Sequence, residues 1–313
     1  SFLIFGLCTN YAVLLAAEVI GAVGMSLLSG ADRALLYEVL REAGKEADAA
    51  KIISRNEAFG TMGMFIAMPA GSLFVGSGLV PYTAALGLVF VATAISLVLG
   101  SILVMSVREP ERRQSTTSAI QEGIEGFRSI FRNPSLTRFS LNYAVISALT
   151  FFMFWFYQSL LMRNGFPVSL QGFVAAAFNL GATLLLMVSG PINAKLGTGR
   201  SLFLSSIIPG LCYVGVFFIP GIAMAMVAIF GVTILKIYRA PLLSALMNRH
   251  IESGNRATVL SGVSMLERII TAAFYPIAGI MTDVSLERTF LLMGILTVGL
   301  SLFLRVGEDH LNG

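Results

Sequence analysis

The chain has 313 residues, of which 56% are hydrophobic and only 12% are charged. Soluble domains carry about 25% charged residues, so the composition excludes an ordinary soluble globular protein. The net charge of +4 does not indicate a nucleic-acid partner, because the basic residues lie in short segments between apolar runs, as in membrane proteins.

Apolar segments occupy most of the sequence. The first, 2–7, is too short to cross a bilayer, which takes about 20 apolar residues. We therefore expect that N-terminal helices are missing, and that the chain is inactive or unstable alone. Nine longer segments follow, at 11–40, 56–76, 80–107, 136–162, 166–191, 201–219, 221–247, 257–283 and 288–305.

The nine segments predict membrane-spanning helices, because they are long and carry few charges. At membrane depth every backbone group must be hydrogen-bonded within the chain, which favours helices. The alternating ten-residue pattern of a membrane barrel is not apparent. We predict an all-α membrane protein with about nine complete transmembrane helices.

Basic residues between the segments predict the orientation. With the loop at 41–55 placed in the cytoplasm, the outer side has only Arg163 and Arg288, and the other loop Lys and Arg residues fall inside. Because Lys and Arg near helix ends resist translocation, we predict a multi-pass protein of the bacterial inner membrane with a cytoplasmic central loop.

The central loop, 108–135, divides the chain into a partial N-terminal bundle, 1–107, and a C-terminal bundle, 136–313. Within the loop, apolar residues share one helical face, and most charges lie off it. This pattern predicts a short amphipathic helix at the membrane interface. The residues of that face are Ile120, Ile124, Phe127, Ile130 and Phe131.

Three stretches resemble the major facilitator superfamily. Residues 29–37 resemble the end of its fourth helix, 190–200 the second copy of its signature loop, and 256–261 the start of its eleventh helix. Arg33 and Arg239 also begin similar stretches in the two halves, as in transporters built from related bundles.

The resemblance implies a twelve-helix fold of two six-helix bundles around a central cavity, with alternating access. On this alignment residues 1–10 are the end of helix three and 11–305 are helices four to twelve. In the second signature loop, Ala194 stands where the family has an Asp, with Asn193 beside it.

Ionisable residues inside spans are candidates for function, because each costs about 2.5–3.5 kcal/mol near a helix centre. Glu18, Lys236 and Glu267 are the deepest by position. Glu18 lies on one helical stripe with Ala22, Met25, Ser29 and Asp32. Our hypothesis is that Glu18 carries a coupling proton; the alternative is a carboxylate hydrogen-bonded to a neighbouring helix.

Lys236 and Arg239 lie one turn apart on a helix that lines the cavity in the resembling family. Two roles are open. The pair can neutralise acidic groups such as Glu267 or Glu57, which we favour because buried cations are usually paired. It can also bind an anionic substrate.

Charged residues near the predicted cytoplasmic face form a candidate gate, whose salt bridges break and reform between states. Snorkelling at helix ends is the alternative. The candidate gate residues are Asp32, Arg33, Glu57, Lys195 and Arg200.

An aromatic run at 151–158 includes Trp155 and Gln158. We favour an interfacial belt for it, because Trp and Tyr concentrate at the membrane surface. The alternative is a cavity wall that recognises an apolar or aromatic compound.

No metal-binding spacing, phosphate-binding glycine loop or catalytic histidine is apparent, so we expect neither an enzyme nor a cofactor. We predict a monomeric secondary transporter of a small molecule by alternating access, preferably proton-coupled efflux of an amphiphilic compound by an antiporter. A metabolite uptake symporter is the near alternative, and a non-transporting scaffold or receptor the more distant one.

Overall fold

The computed structural model describes residues 1–28, 31–42, 44–45, 48–106, 119–251 and 256–306; within these ranges the side chains at 31–34, 37, 49–50, 119–123 and 257 are not described. Every regular element in the described ranges is a helix. The helices are α1 (Phe2–Leu7), α2 (Tyr11–Leu28), α3 (Ala31–Glu42), α4 (Ala49–Gly76), α5 (Tyr82–Met105), α6 (Ala119–Ile130), α7 (Pro134–Arg163), α8 (Val168–Met187), α9 (Ser189–Leu196), α10 (Thr198–Phe218), α11 (Ile222–Arg249), α12 (Arg256–Val284) and α13 (Leu286–Phe303).

Nine of the described helices are long and apolar enough to cross a membrane: α2, α4, α5, α7, α8, α10, α11, α12 and α13. The predicted all-α membrane fold with about nine spans is therefore confirmed. Length and apolar composition suffice for this prediction because a bilayer imposes both on any helix that crosses it.

Three predicted segments differ most from the observed helices. The segment predicted at 11–40 contains two helices, α2 and α3, and only α2 is apolar enough to span. Helix α4 begins at Ala49, seven residues before the predicted start at 56, because helical hydrogen bonding continues beyond the apolar stretch into a charged one. The segment at 166–191 ends as α8 at Met187, and the resembling signature loop begins within a separate helix, α9.

The chain divides into two compact units, which are described separately. The first comprises Ser1–Gln114 and Val168–Ala176. In it α1 packs closely against α5, since a Cβ on Gly87 would lie only 2.6 Å from the carbonyl oxygen of Gly6. Such small residues let helix backbones approach. The Phe90 ring stacks on Phe2 and Phe5 beside this contact.

The second unit comprises Ser115–Pro167 and Ala177–Gly313. Helix α7 contributes many buried residues and packs against α11, α12 and α13. Helices α10 and α13 meet at two glycines, because a Cβ on Gly294 would lie 2.8 Å from the carbonyl oxygen of Gly210. The Tyr213 hydroxyl, fully buried, donates to the Leu149 carbonyl at 3.1 Å and links α10 to α7.

An apolar core closes one end of the second unit, where α7, α10 and α12 begin and α6 and α11 end. Helix α6 packs against α12 there: Gly126 lies against the Thr258 backbone, and Gly262 against Gly126 and Phe127. The buried members of this core are Ile130, Leu136, Phe139, Leu202, Leu243, Leu246, Met247, Ile251, Val259, Val263 and Val306.

Candidate functional site

Two cations lie one turn apart on α11, as the sequence spacing indicates. Lys236 is half-buried, and its Nζ lies 4.5 Å from the centroid of the Phe151 ring on α7. At this distance the ring face attracts the ammonium group. The Phe151 ring face is therefore occupied by a cation of the protein itself.

Arg239 is buried, with only 3% of its surface exposed. Its Nη2 donates to the Asn142 carbonyl at 3.2 Å and also contacts the Asn142 Oδ1. Its Nε and Nη1 have no hydrogen-bond partner among the described residues. The guanidinium is thus held inside the unit by an amide oxygen and a carbonyl oxygen, both of which are neutral.

Asn142 extends this contact to a third helix. Its Nδ2 donates to the Leu304 carbonyl at 2.9 Å, just beyond the end of α13. One side chain of α7 therefore ties α11 to the end of α13, which fixes the position of Arg239.

Glu267 on α12 is half-buried, and the Tyr143 hydroxyl on α7 lies within interaction range of its carboxylate. Lys236 and Arg268 lie within electrostatic range of its carboxylate, and Arg239 within range of the Tyr143 hydroxyl. The structure therefore brings together Lys236, Arg239 and Glu267, three of the predicted site residues, around a tyrosine.

A cavity of about 360 Å³ opens beside this cluster, within the second unit. Its wall combines two aromatic rings with a carboxylate, a guanidinium and a hydroxyl. The lining residues are Phe151, Glu267, Arg268, Thr271, Ala272 and Tyr275.

Trp155 lies next to the cavity wall. Its ring meets the rings of Phe151 and Tyr275 in edge-to-face geometry, with centroids 6.4 Å apart in both pairs. Gln158 is exposed, and its Nε2 donates to the Tyr157 hydroxyl at 3.1 Å. Of the two aromatic-run candidates, Trp155 lies near the cavity wall and Gln158 interacts with its neighbour.

A second cavity, of about 260 Å³, lies between α7, α11 and α12. Tyr143 lines it together with Pro241, Ser244 and Ser264. Because Tyr143 also contacts Glu267, this one side chain lines the second cavity and contacts a residue that lines the first.

Sequence reasoning missed Tyr143, Thr271 and Tyr275. Glu267, Thr271 and Tyr275 are spaced by four residues, so they share one face of α12. Tyr143 precedes Phe151 on α7 by eight residues, which also puts the two on one face. The helical spacing between these residues and the predicted ones would identify all three from the sequence.

Glu18 belongs to the first unit. It lies on α2, where Ala22 and Met25 share its stripe, and all three side chains are exposed. Residue 29 of that stripe lies outside the described residues, as does the side chain of Asp32. The role of Glu18 stays a prediction.

The predicted gate residues fall in both units. The side chains of Asp32 and Arg33 lie outside the described set, and Glu57 lies on α4 of the first unit. In the second unit, Lys195 and Arg200 are exposed at the end of α9 and the start of α10.

Helix α9, which carries Lys195, is tied to α11. The Tyr238 hydroxyl, on the helix that carries Lys236 and Arg239, donates to the Asn193 Oδ1 at 2.9 Å. Asn193 therefore holds the resembling signature loop against the helix of the candidate site.

The chain is similar to known proteins in sequence family and in fold. Residues 1–272 match the model of the Major Facilitator Superfamily. No curated protein matches the chain significantly.

Two solved structures share the fold. A bacterial homolog of the human lysosomal transporter Spinster, in an inward-facing and unoccupied conformation, is 16% identical with a TM-score of 0.68, over 97% of this chain and 78% of the homolog. The fucose:proton symporter FucP of E. coli is 14% identical with a TM-score of 0.53, over 97% of this chain and 80% of the symporter. The predicted resemblance is confirmed, and the chain belongs to the major facilitator superfamily.

Proposed function

We propose that this protein is a proton-coupled secondary transporter of a small amphiphilic compound, in which Glu267 carries the coupling proton. The family and the fold support a secondary transporter. The observation that carries the coupling is the half-buried Glu267 carboxylate, which lies beside a cavity and within interaction range of Tyr143 and Lys236. Ionisable groups inside spans are expensive and therefore commonly functional.

The charge on Glu267 matters to its neighbours. When ionised, it interacts with the Tyr143 hydroxyl and offsets the charge of Lys236. When protonated, it leaves Lys236 without that offset. A charged ligand in the cavity and a proton on Glu267 therefore change each other's affinity, and this effect is reciprocal.

The charge of the ligand determines whether proton coupling produces exchange or symport. A cation competes with the proton at Glu267, which produces exchange and, with an inward proton gradient, the efflux expected from the sequence. An anion binds better when Glu267 is protonated, which produces symport and uptake. The aromatic wall of the cavity supports an amphiphilic compound in either case.

We also propose a membrane, an orientation and an oligomeric state for the protein. The basic residues between spans support the bacterial inner membrane, with the loop at 108–135 in the cytoplasm between the two bundles. We propose a monomer as the working unit. Glu18 is proposed as a second proton-carrying group, and the gate residues as salt-bridge partners that exchange between states.

Proton flux in liposomes tests the coupling. The full-length protein is reconstituted with a pH-sensitive dye inside, and a concentration gradient of a permanently charged compound is applied from outside. The compounds are 4-butylbenzenesulfonate and (4-butylphenyl)trimethylammonium, which carry no proton through the lipid. Symport acidifies the lumen, and exchange makes it more alkaline.

Variants assign the coupling to a residue. Glu267→Gln is expected to abolish the pH change, whereas Glu125→Gln, a matched loss of an exposed carboxylate on α6, is expected to retain it. Glu18→Gln is run in parallel. A pH change that persists in Glu267→Gln, or the absence of a pH change with both compounds in the parent protein, would overturn the proposal.

A further inference from the structure

The charges around the cavity are not balanced. Among its lining residues Glu267 supplies the one carboxylate and Arg268 a guanidinium. Lys236 lies over the Phe151 ring that lines the cavity, and Arg239 lies one turn further along α11. Two cations, Lys236 and Arg268, therefore lie within electrostatic range of a single lining carboxylate, and Arg239 adds a third positive charge on α11.

A buried cation raises the positive potential more than an exposed one, because little water screens it. Arg239 is 3% exposed, and the groups that hold it, the carbonyl and amide oxygens of Asn142, are neutral. Its charge thus adds to that of Lys236, one turn away on α11. The potential in the cavity favours an anion.

The aromatic geometry argues against a cationic ligand. Cation recognition uses the open face of a ring, but the Lys236 ammonium already lies over Phe151. A ligand cation would also meet Lys236 and Arg268 as like charges beside Glu267.

The volume sets the size of the ligand. An apolar cavity of about 150 Å³ holds benzene, and small-molecule sites start near 300 Å³. The cavity of about 360 Å³ therefore fits a single aromatic ring with a short side chain and a charged group.

We propose that this cavity binds a singly charged aromatic anion, a carboxylate or sulfonate on one ring, as the transported substrate. The anionic group interacts with Lys236 and Arg268, and the ring contacts Phe151 and Tyr275. The inference rests on the proposed function, and it selects symport over exchange, because the bound anion offsets the charge of Lys236 in place of Glu267, and the Glu267 carboxylate then takes up a proton.

The single tryptophan of the chain makes binding directly measurable. Trp155 contacts two rings of the cavity wall, so its fluorescence reports on a ligand placed there. The full-length protein in nanodiscs of zwitterionic lipid is titrated with 4-butylbenzenesulfonate, with the neutral 4-butylbenzenesulfonamide, with (4-butylphenyl)trimethylammonium and with octanesulfonate.

The sulfonate is expected to bind about tenfold or more tightly than the sulfonamide, because charge-assisted contacts are the strong ones. Octanesulfonate separates an aromatic solute from a lipid-like acyl anion. It is expected to bind about tenfold more weakly than the aromatic sulfonate, because it lacks the ring.

Substitutions should move the affinity in opposite directions. Lys236→Gln and Arg268→Gln are each expected to raise the Kd of the aromatic sulfonate about tenfold, and Lys236→Arg to keep it near the parent value. Glu267→Gln is expected to lower the Kd, because it removes a repulsive charge. The Kd of the sulfonamide should change little, which shows that the variants remain folded.

Arg249→Gln is the matched control, since it removes an exposed cation from the same helix as Lys236. Its Kd should equal that of the parent protein. Tighter binding of the trimethylammonium compound, equal binding of octanesulfonate, an unchanged sulfonate Kd in Lys236→Gln, or no saturable binding of any compound would each overturn the inference.

Different results would overturn the proposed proton coupling and the proposed ligand class. Sulfonate binding with these charge effects but without proton movement would overturn proton coupling and leave the ligand class in place. Proton movement driven by the trimethylammonium compound, with no sulfonate binding, would overturn the ligand class and leave the coupling in place.

Discussion

The Tyr143 hydroxyl lies within interaction range of the Glu267 carboxylate, and this contact joins α7 to α12 within the second unit. It connects the walls of two cavities. A single oxygen atom can therefore be removed to test whether Glu267 works through this contact.

Tyr143→Phe keeps the ring and removes only that donor. A nearby hydroxyl dipole stabilises the charged form of a carboxylate, so the ionised form of Glu267 loses this stabilisation. We expect compound-driven proton flux in liposomes to fall about tenfold or more, with little change in thermal stability. Tyr11→Phe, which alters an exposed tyrosine on α2, should leave the flux unchanged; equal fluxes in the two variants would contradict the prediction.

Asn142 and Arg239 should show strong energetic coupling. Removing the partner of a buried charge destabilises a protein, whereas removing the charge as well restores much of the loss. We expect Asn142→Ala to unfold at a lower temperature than Arg239→Met, and the double variant to be no less stable than Asn142→Ala. Thermal unfolding in detergent measures all three, and strictly additive losses in the double variant would refute the coupling.

The contact between α6 and α12 depends on two glycines. A Cβ on Gly262 would lie 2.8 Å from the backbone nitrogen of Phe127, so Gly262→Ala must push the helices apart. We expect a loss of about 1–3 kcal/mol and faster hydrogen exchange over 124–130. Gly279→Ala on the same helix, where a Cβ meets no atom within 4 Å, should have neither effect; matching behaviour of the two variants would disprove the close contact.

Membrane orientation can be measured by labelling single cysteines. With Cys8 and Cys212 replaced, Glu125→Cys on α6 and Arg288→Cys on α13 should react with an impermeant maleimide from opposite sides. The positive-inside pattern places position 125 in the cytoplasm and position 288 outside. Labelling of both from the same side in intact cells would show that the predicted orientation is wrong.

The spans were predictable because their signal is local. The segment predicted at 80–107 closely matches α5, Tyr82–Met105, since no charged residue interrupts the helix and a bilayer admits such a run as a helix. The start of α4 was predicted seven residues late, at 56 instead of Ala49. Helical hydrogen bonding does not stop where hydrophobicity does, so composition locates a span better than it locates the ends of a helix.

The sequence by itself determined the all-helical membrane class, the family, and the presence of Lys236, Arg239 and Glu267 inside spans, because these follow from composition, motif and position along one helix. Only the tertiary structure decided that Arg239 bonds to Asn142, that Glu267 lies near Tyr143, and that Lys236 lies over Phe151. These partners lie far apart in the sequence. Which of them meet depends on how α7, α11 and α12 pack, and that packing is set by side-chain shape across helices, which the apolar pattern of any single helix does not contain.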